Sequence, residues 1–309
     1  MSDPEFYPAT PLSPHRHLNP TPGKIAPRPE TPNPLSKMPR NLEIATFTPS
    51  SALLALRSGA QRIELCAHKD KDGLTPDAKD FSSVYSVSAL HAQNEKKIDG
   101  KLDEKNEEES GEINIMIRPV DNSSLGAGPN DNFRVGDEVF EEMKEEIRRF
   151  RVLGGRGFVF GILRDTEDGG MGLVVDRVRC AELIGIAREG EGGENVRCTF
   201  HRAFDRIESV RMEEELEVLI NLNFTSLLTS GGAPNSIQGV VQLQKLIQQA
   251  AGRIDIIVGG GVRSRNLKEL VQETGAGWFH SSAVIGDGED VNGEEVGKMR
   301  HILRSARLG

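Results

Sequence analysis

The pentapeptide Arg62-Ile63-Glu64-Leu65-Cys66 sets an arginine, a carboxylate and a thiol on alternate positions of a short apolar run. In a β-strand alternate side chains share a face, so Arg62, Glu64 and Cys66 are expected to point one way and Ile63 and Leu65 the other. Three other runs follow the same rule. Glu43 and Ala45 share a face in Leu42–Ala45, and Asn114, Met116 and Arg118 share one along and just beyond Ile113–Ile117. Thr199 and His201 do so at the end of Val196–Phe200, where the chain continues as Arg202-Ala203-Phe204-Asp205. Charges that converge from several strands must pair with one another or line a polar cavity, because an unpaired buried charge is costly. The chemistry open to this set is proton transfer by His201, oriented by Glu43 or Glu64, on an anion held by Arg118 or Arg202. A structural ion network of Arg62, Glu64 and Arg118 that plugs the interior is the competing reading. Asp205 has a bland alternative as the cap of the next helix.

Two further features bear on ligands. Gly259-Gly260-Gly261 follows the run Asp255–Val258 and precedes a helix that Ser264 is placed to cap, so its free amides can converge on a phosphate or carboxylate. Ser230-Gly231-Gly232 and His280-Ser281-Ser282 end neighbouring runs, and Ser230, Gly231, Gly259, Gly260, Gly261 and Ser281 make up the expected anion site. A purely conformational role for these glycines is the alternative. Cys66 is the only cysteine on an inward face near a strand end. Thiolate, thioether and imidazole suit Cu(I), and Met116 and His201 lie on faces that can meet Cys66 across a cavity. Cys180 and Cys198 read as small buried apolar residues.

These residues need a scaffold that aims several strands at one point. From Leu42 onward a short apolar run, a turn and an amphipathic helix recur. The runs are Leu42–Ala45, Arg62–Cys66, Ile113–Ile117, Gly157–Gly161, Val196–Phe200, Ser226–Thr229, Asp255–Val258 and Trp278–His280. Thr48-Pro49 opens a helix with Leu53 and Leu56 on its buried face and Gly59 at its end. A second helix is expected from Asp137 to Leu153, its acidic start and arginine-rich end matching the helix dipole. Stripes at Ile237, Val240, Val241, Leu246 and Ile247, and at Leu267, Leu270 and Val271, mark two more. Strands alternating with helices imply parallel pairing, and no early glycine-rich strand-to-helix turn marks an open dinucleotide-binding sheet. A closed TIM-type (β/α)₈ barrel over residues 41–309 is the expected fold. Residues 1–40 hold most of the prolines and read as a disordered Pro-rich arm, with a mitochondrial leader as the alternative. Residues 93–112 read as a charged insertion, and Asp121 to Asn132 as a turn-rich loop after the third strand.

With a formal net charge of −9, no broad basic surface is expected for nucleic acid or anionic lipid. An odd set of three cysteines without a CxxC spacing argues against a disulfide framework and a zinc ribbon. No apolar run approaches the length of a membrane span. A cytoplasmic protein whose partner is a copper ion or an anionic small molecule fits these limits, and its oligomeric state, homo-oligomer included, is left open.

The segments LEIA (42–45), RIELC (62–66) with GLTP (73–76), IMIRP (115–119), FEEMKEEI (140–147), FVFGIL (158–163), TFHRAFD (199–205), LLTSGG (227–232), GRIDIIVGGGV (252–262) and FHSSA (279–283), taken in order, resemble the CutC copper homeostasis family. The resemblance implies a TIM-type barrel and a cytoplasmic protein assigned to copper handling. It also implies Cu(I) binding through cysteines near the first and second strands. This sequence departs from that pattern at Ala45, where the family usually has a cysteine, which leaves Cys66 alone. It departs again at Asp121–Asn132 and at Ser281. Glu43, Arg62, Glu64, Arg118, His201, Arg202 and Asp205 all remain, a set that favours chemistry on an anionic small molecule over metal storage.

Overall fold

The structure, a computed structural model, describes residues 40–98, 111–120, 133–167, 172–286 and 288–306. In chain order the strands are β1 (Asn41–Thr46), β2 (Arg62–Leu65), β3 (Glu112–Met116), β4 (Gly157–Phe160), β5 (Leu163–Asp165), β6 (Leu173–Val175), β7 (Arg197–Phe200), β8 (Ser226–Thr229), β9 (Asp255–Val258) and β10 (Trp278–Ser281). The helices are α1 (Pro49–Arg57), α2 (Ala78–Ile98), α3 (Asp137–Val152), α4 (Arg177–Ala187), α5 (Met212–Asn221), α6 (Val240–Ala250), α7 (Ser264–Thr274) and α8 (Gly293–Ser305). Eight of the strands close into a barrel in the order β1-β10-β9-β8-β7-β4-β3-β2, and β5 pairs with β6 in a separate antiparallel hairpin. The pairings of the barrel are all parallel.

Alternation along the strands divides the residues between two environments. Leu42, Ile44, Ile63, Leu65, Ile115, Phe158, Phe160, Phe200, Val258 and Phe279 turn outward and are buried in one apolar layer with the inner faces of the helices. Each such side chain contributes about 1.5–3 kcal/mol relative to exposure. The inward faces are largely polar, with one small apolar cluster of Cys66, Met116 and Val159 covered by Phe47. The barrel is therefore held from outside, by the sandwich of strands and helices. Its interior is left to other uses.

Thr48 caps α1 by accepting from the Ser51 amide, with Pro49 in the first turn as expected. The face that α1 buries is Ser51, Ala52 and Ala55, whereas Leu53 and Leu56 flank it, because the close approach to the sheet admits only small side chains. On α6 the buried residues are Leu243, Leu246 and Ala250, and Val241 is exposed, which shifts the stripe from the one expected. Ser264 is not a cap. Arg263 occupies the cap position of α7, and the Ser264 amide and hydroxyl are both taken by buried Glu295 of α8. The helix α2 runs on to Ile98, into the stretch expected to be a charged insertion. The remainder of that insertion to Ser110, the loop 121–132 and residues 1–39 of the Pro-rich arm lie outside the described residues. The β5–β6 hairpin has no counterpart in the sequence reading, which passed over both short runs.

Glycines on the inward faces make room for larger neighbours. A methyl group at Gly161 would lie 2.7 Å from His201 Nδ1 and 2.9 Å from Phe200 Cζ. Gly161→Ala is therefore expected to destabilise the chain by about 1–3 kcal/mol in urea unfolding, because the buried imidazole has nowhere to retreat. An unchanged midpoint would show that His201 is loosely held.

Candidate functional site

Glu43 lies in the middle of β1 with its side chain fully buried, and the strand register sets it beside Arg62 of β2 and His280 of β10. Arg62 Nε donates to Glu43 Oε2, Asn114 Nδ2 donates to the same oxygen at 3.1 Å, and His280 Nδ1 lies 2.8 Å from Oε1. Burial works against the ionised form of this carboxyl. The Arg62 charge and the bond and charge of His280 outweigh it, and Glu43 is held at about 2. It is a carboxylate throughout the ordinary pH range, and His280 Nδ1 must carry the proton it shares.

Glu64 stands one step along, on β2. Its Oε2 is 3.8 Å from His280 Nε2 and accepts a weak bond from the Cys66 thiol at 3.6 Å. Its Oε1 is buried and has no partner among the described residues. Burial pushes this carboxyl up, His280 opposes the rise, the negative Glu43 reinforces it, and the group settles at about 7. Burial pulls the His280 imidazole down, but its bond to Glu43 and the charges of Glu64 and Glu43 carry it above its ordinary value. The result is an imidazole whose protonated form is favoured, set between a carboxylate and a carboxyl group poised near neutrality. Asn114 Oδ1 and Thr199 Oγ1 are also buried without partners among the described residues, so the interior offers further unspent acceptors and donors.

Arg62 opens β2, at the N-terminal end of the barrel, and its long side chain reaches Glu43 from there. There its guanidinium lies 3.7 Å over the Trp278 ring, and Nη1 is 3.7 Å from Glu112, which also pairs with Arg197 at 3.0 Å. Arg62 is thus a plug beneath the polar axis.

His201 and Arg118 form a second group at the C-terminal mouth. His201 Nδ1 accepts from the Ala203 amide at 3.3 Å, which leaves the proton on Nε2. Burial first, and then the nearby Arg118 charge, depress His201 to about 3, so the ring is neutral, and with Nδ1 occupied it offers the mouth only the Nε2 donor. It makes no bond to Glu43 or Glu64; His280 holds the place expected for it. Arg118 Nη1 donates to the carbonyls of Lys71 at 2.9 Å and Gly73 at 3.0 Å, tying the β2–α2 loop over the mouth.

The expected anion loops are mostly satisfied from within. The Asp205 carboxylate accepts from Thr229 Oγ1, the amides of Ser230 and Gly232, Ser230 Oγ and Arg202 Nε. It fills the turn after β8, tying that turn to Arg202. Gly231 donates to Thr229 Oγ1, Gly259 donates to the Thr229 carbonyl, and Ser281 Oγ donates to the Val262 carbonyl. The amides of Gly260 and Gly261 donate to nothing among the described residues. Arg202 leans over Gly260, its Nη2 donating to Ser230 Oγ at 3.0 Å, and its charge is felt by His280.

His280, Asn114 and Trp278 thus join the site. Strand parity in Trp278-Phe279-His280 was the available signal, since it sends both flanking residues inward.

A family model described as the CutC family matches residues 40–285. The chain belongs to the CutC family. The human copper homeostasis protein cutC homolog is 33% identical over 242 residues, 78% of this chain and 72% of that protein. A family protein CutC of Porphyromonas gingivalis is 35% identical over 245 residues, 79% of this chain and 81% of the relative. The crystal structure of the copper homeostasis protein CutC from Streptococcus agalactiae superposes with a TM-score of 0.59 at 24% identity, covering 79% of this chain and 98% of that one, and supports the barrel fold.

A copper-handling name raises the question of whether this CutC chain carries a copper site. Cys66 is buried with Met116 and Val159, and burial, followed by the adjacent Glu64, pushes its thiol well above the usual range. Ala45 on the adjacent strand supplies no donor. Among the described residues no three His, Cys, Asp or Glu side chains are grouped to hold a metal ion. A protonated lone thiol is a poor fit to a thiolate copper centre.

Removing the plug is expected to expose the cost of the axis. Arg62→Met leaves Glu43 a buried carboxylate short of its main counter-charge, and unfolding followed by far-UV circular dichroism should show a loss of about 3–5 kcal/mol. A loss below about 1 kcal/mol would mean that the pair is solvated rather than buried.

Proposed function

We propose that this CutC chain is a barrel enzyme that binds a small phosphorylated or carboxylated molecule at the C-terminal mouth and moves a proton on it. The observation that carries this reading is Glu64, buried, with one oxygen free of partners among the described residues, raised to about 7 and 3.8 Å from a histidine whose protonated form Glu43 favours. A carboxyl group that titrates near neutrality is matched to general acid–base work. In this role Glu64 exchanges the proton, His280 tunes it, and Glu43 orients His280. Arg202 and the Gly260 and Gly261 amides take the anionic group of the substrate. His201 offers a neutral Nε2–H to oxygen on which charge develops. Arg118 and Asp205 are positioning residues for the loops around the mouth. All three cysteines are free and buried, which suits a reducing compartment, and we place the protein in the cytoplasm.

The test is a thermal-shift panel of phosphorylated and carboxylated metabolites. At a ligand concentration of about 100 Kd the gain in stability is about 2.7 kcal/mol, readily seen as a rise in Tm. The rise should disappear in Arg202→Ala and persist in Glu64→Gln, while Glu64→Gln abolishes turnover of the ligand found. A panel without a single shift, or a shift indifferent to Arg202, overturns the proposal.

A second reading is Cu(I) binding at Cys66, in keeping with the relatives' names. One observation favours it: the Cys66 thiol and the Met116 thioether side chain lie together beside Gly73 at the mouth. It expects about one Cu(I) per chain in anaerobic competition with a chromogenic chelator, and an affinity at least about tenfold weaker in Cys66→Ser. Equal affinities in the two proteins dispose of it.

A further inference from the structure

The opposite end of the barrel carries a feature that none of this chemistry uses. Two glycine-rich turns, Gly154-Gly155-Arg156-Gly157 into β4 and Gly190-Glu191-Gly192-Gly193 ahead of β7, bring their backbones together there. Gly192 holds φ at 69°, and a methyl group at Gly193 would lie 1.9 Å from the Arg188 carbonyl oxygen, so the second turn requires both glycines. Between the turns lies a cleft of about 540 Å³ lined by Arg156, Glu191, Gly192, Asn195 and Arg197. That volume falls within the range of small-molecule sites.

Two guanidinium groups at this end of the barrel, those of Arg156 and Arg151, are held by neutral oxygens, and a third, Arg197, shares the Glu112 carboxylate with Arg62. Arg156 is exposed, and its one polar side-chain partner among the described residues is the Gly192 carbonyl, at 2.9 Å. Arg151, directly behind it, donates to the carbonyls of Gly155 at 3.2 Å and Glu189 at 3.3 Å and pairs with no carboxylate there. The Arg197 amide donates to the Arg156 carbonyl at 2.9 Å, so the two side chains start from paired strand ends. Arg197 gives Nη1 to Glu112, and its Nε is buried without a partner among the described residues. The acidic residues nearby do not cancel this charge. Glu191 is exposed and unpaired among the described residues, and Glu194 bonds Asn195 at 3.0 Å. Carbonyls orient arginines without neutralising them, which preorganises the forks for a multiply charged oxyanion.

We infer that the cleft between the β4 and β7 entrances is a binding site for a small phosphate-bearing anion, separate from the catalytic mouth, with Arg156 and Arg197 as its principal donors. The chain's net charge of −9 opposes a polyanionic polymer as the occupant. Arg197 also connects the cleft to the interior, because Glu112 is shared between Arg197 and Arg62, and Arg62 stacks on Trp278. An anion that draws Arg197 toward the cleft loosens its hold on Glu112, and the chain's single tryptophan stands next to that event.

The experiment is isothermal titration of the full chain with inorganic pyrophosphate, alongside Trp278 fluorescence. The expected result is saturable binding near one site per chain, weakened at least about tenfold by Arg156→Ala and by Arg151→Gln, and unchanged in Arg202→Ala. Both arginines are bonded only to carbonyls, so far-UV circular dichroism should show each variant folded. No saturable heat with pyrophosphate overturns the inference. So does binding that Arg202→Ala abolishes and Arg156→Ala spares, which would assign the anion to the catalytic mouth. A metabolite panel without a shift, or a shift indifferent to Arg202→Ala, with pyrophosphate binding intact would sink the proposed enzyme and leave this site standing.

Discussion

A carboxylate in the centre of a barrel is the constraint that organises this protein. Glu43 has no access to water, so it must be neutralised by groups on neighbouring strands. Arg62 does so from below, His280 from the side, and Asn114 adds a neutral donor. Each partner is set in place by strand register, and the register is fixed in turn by the apolar outer faces that seat the helices. A slip by one residue on β1 would send Glu43 into the helix layer and Ile44 into the ions. The electrostatics of the axis and the packing of the shell therefore enforce the same alignment.

This arrangement separates structural charge from usable charge. Arg62, Glu112 and Arg197 close the floor, and Glu43 is spent on holding Arg62 and His280. Among the described residues of the axis, Glu64, one residue pair nearer the mouth, combines an uncommitted oxygen with a proton affinity near neutral. The loops repeat the division. Asp205 consumes the donors of the turn after β8, leaving Gly260, Gly261 and Arg202 as the groups with capacity to spare. Around Cys66 the surroundings are apolar and acidic, which keeps the thiol protonated; the same surroundings raise Glu64.

Much of this was legible in the chain. Strand and helix alternation from Leu42 announced the barrel, and parity named Glu43, Arg62, Glu64 and Asn114 as inward. Depth was not legible: a strand's side chains share a face without disclosing their height along the axis, and parity alone does not separate Arg62, which opens β2, from Glu64 further along it. Nor did parity tell one histidine from another. His201 sits in the conspicuous motif TFHRAFD, yet its ring is tied to its own backbone at Ala203, whereas His280 meets Glu43 through the closure of β10 on β1, a contact 237 residues apart in sequence. The glycine loops read correctly as amide-rich, but whether an amide is free depends on Asp205, which arrives from another turn. The short β5–β6 hairpin escaped because strands of three residues carry too little periodicity to register.

The proton on Glu64 decides the matter. A ¹³C side-chain NMR titration of the glutamate carboxyl carbons, with the Glu64 resonance identified by its loss in Glu64→Gln, reads that proton directly. An inflection near 7, with Glu43 still ionised at the acid limit of the titration, is what the buried geometry requires. If Glu64 instead titrates with the surface carboxyls near 4.5, it is hydrated or fully paired, and the interior is only a plug.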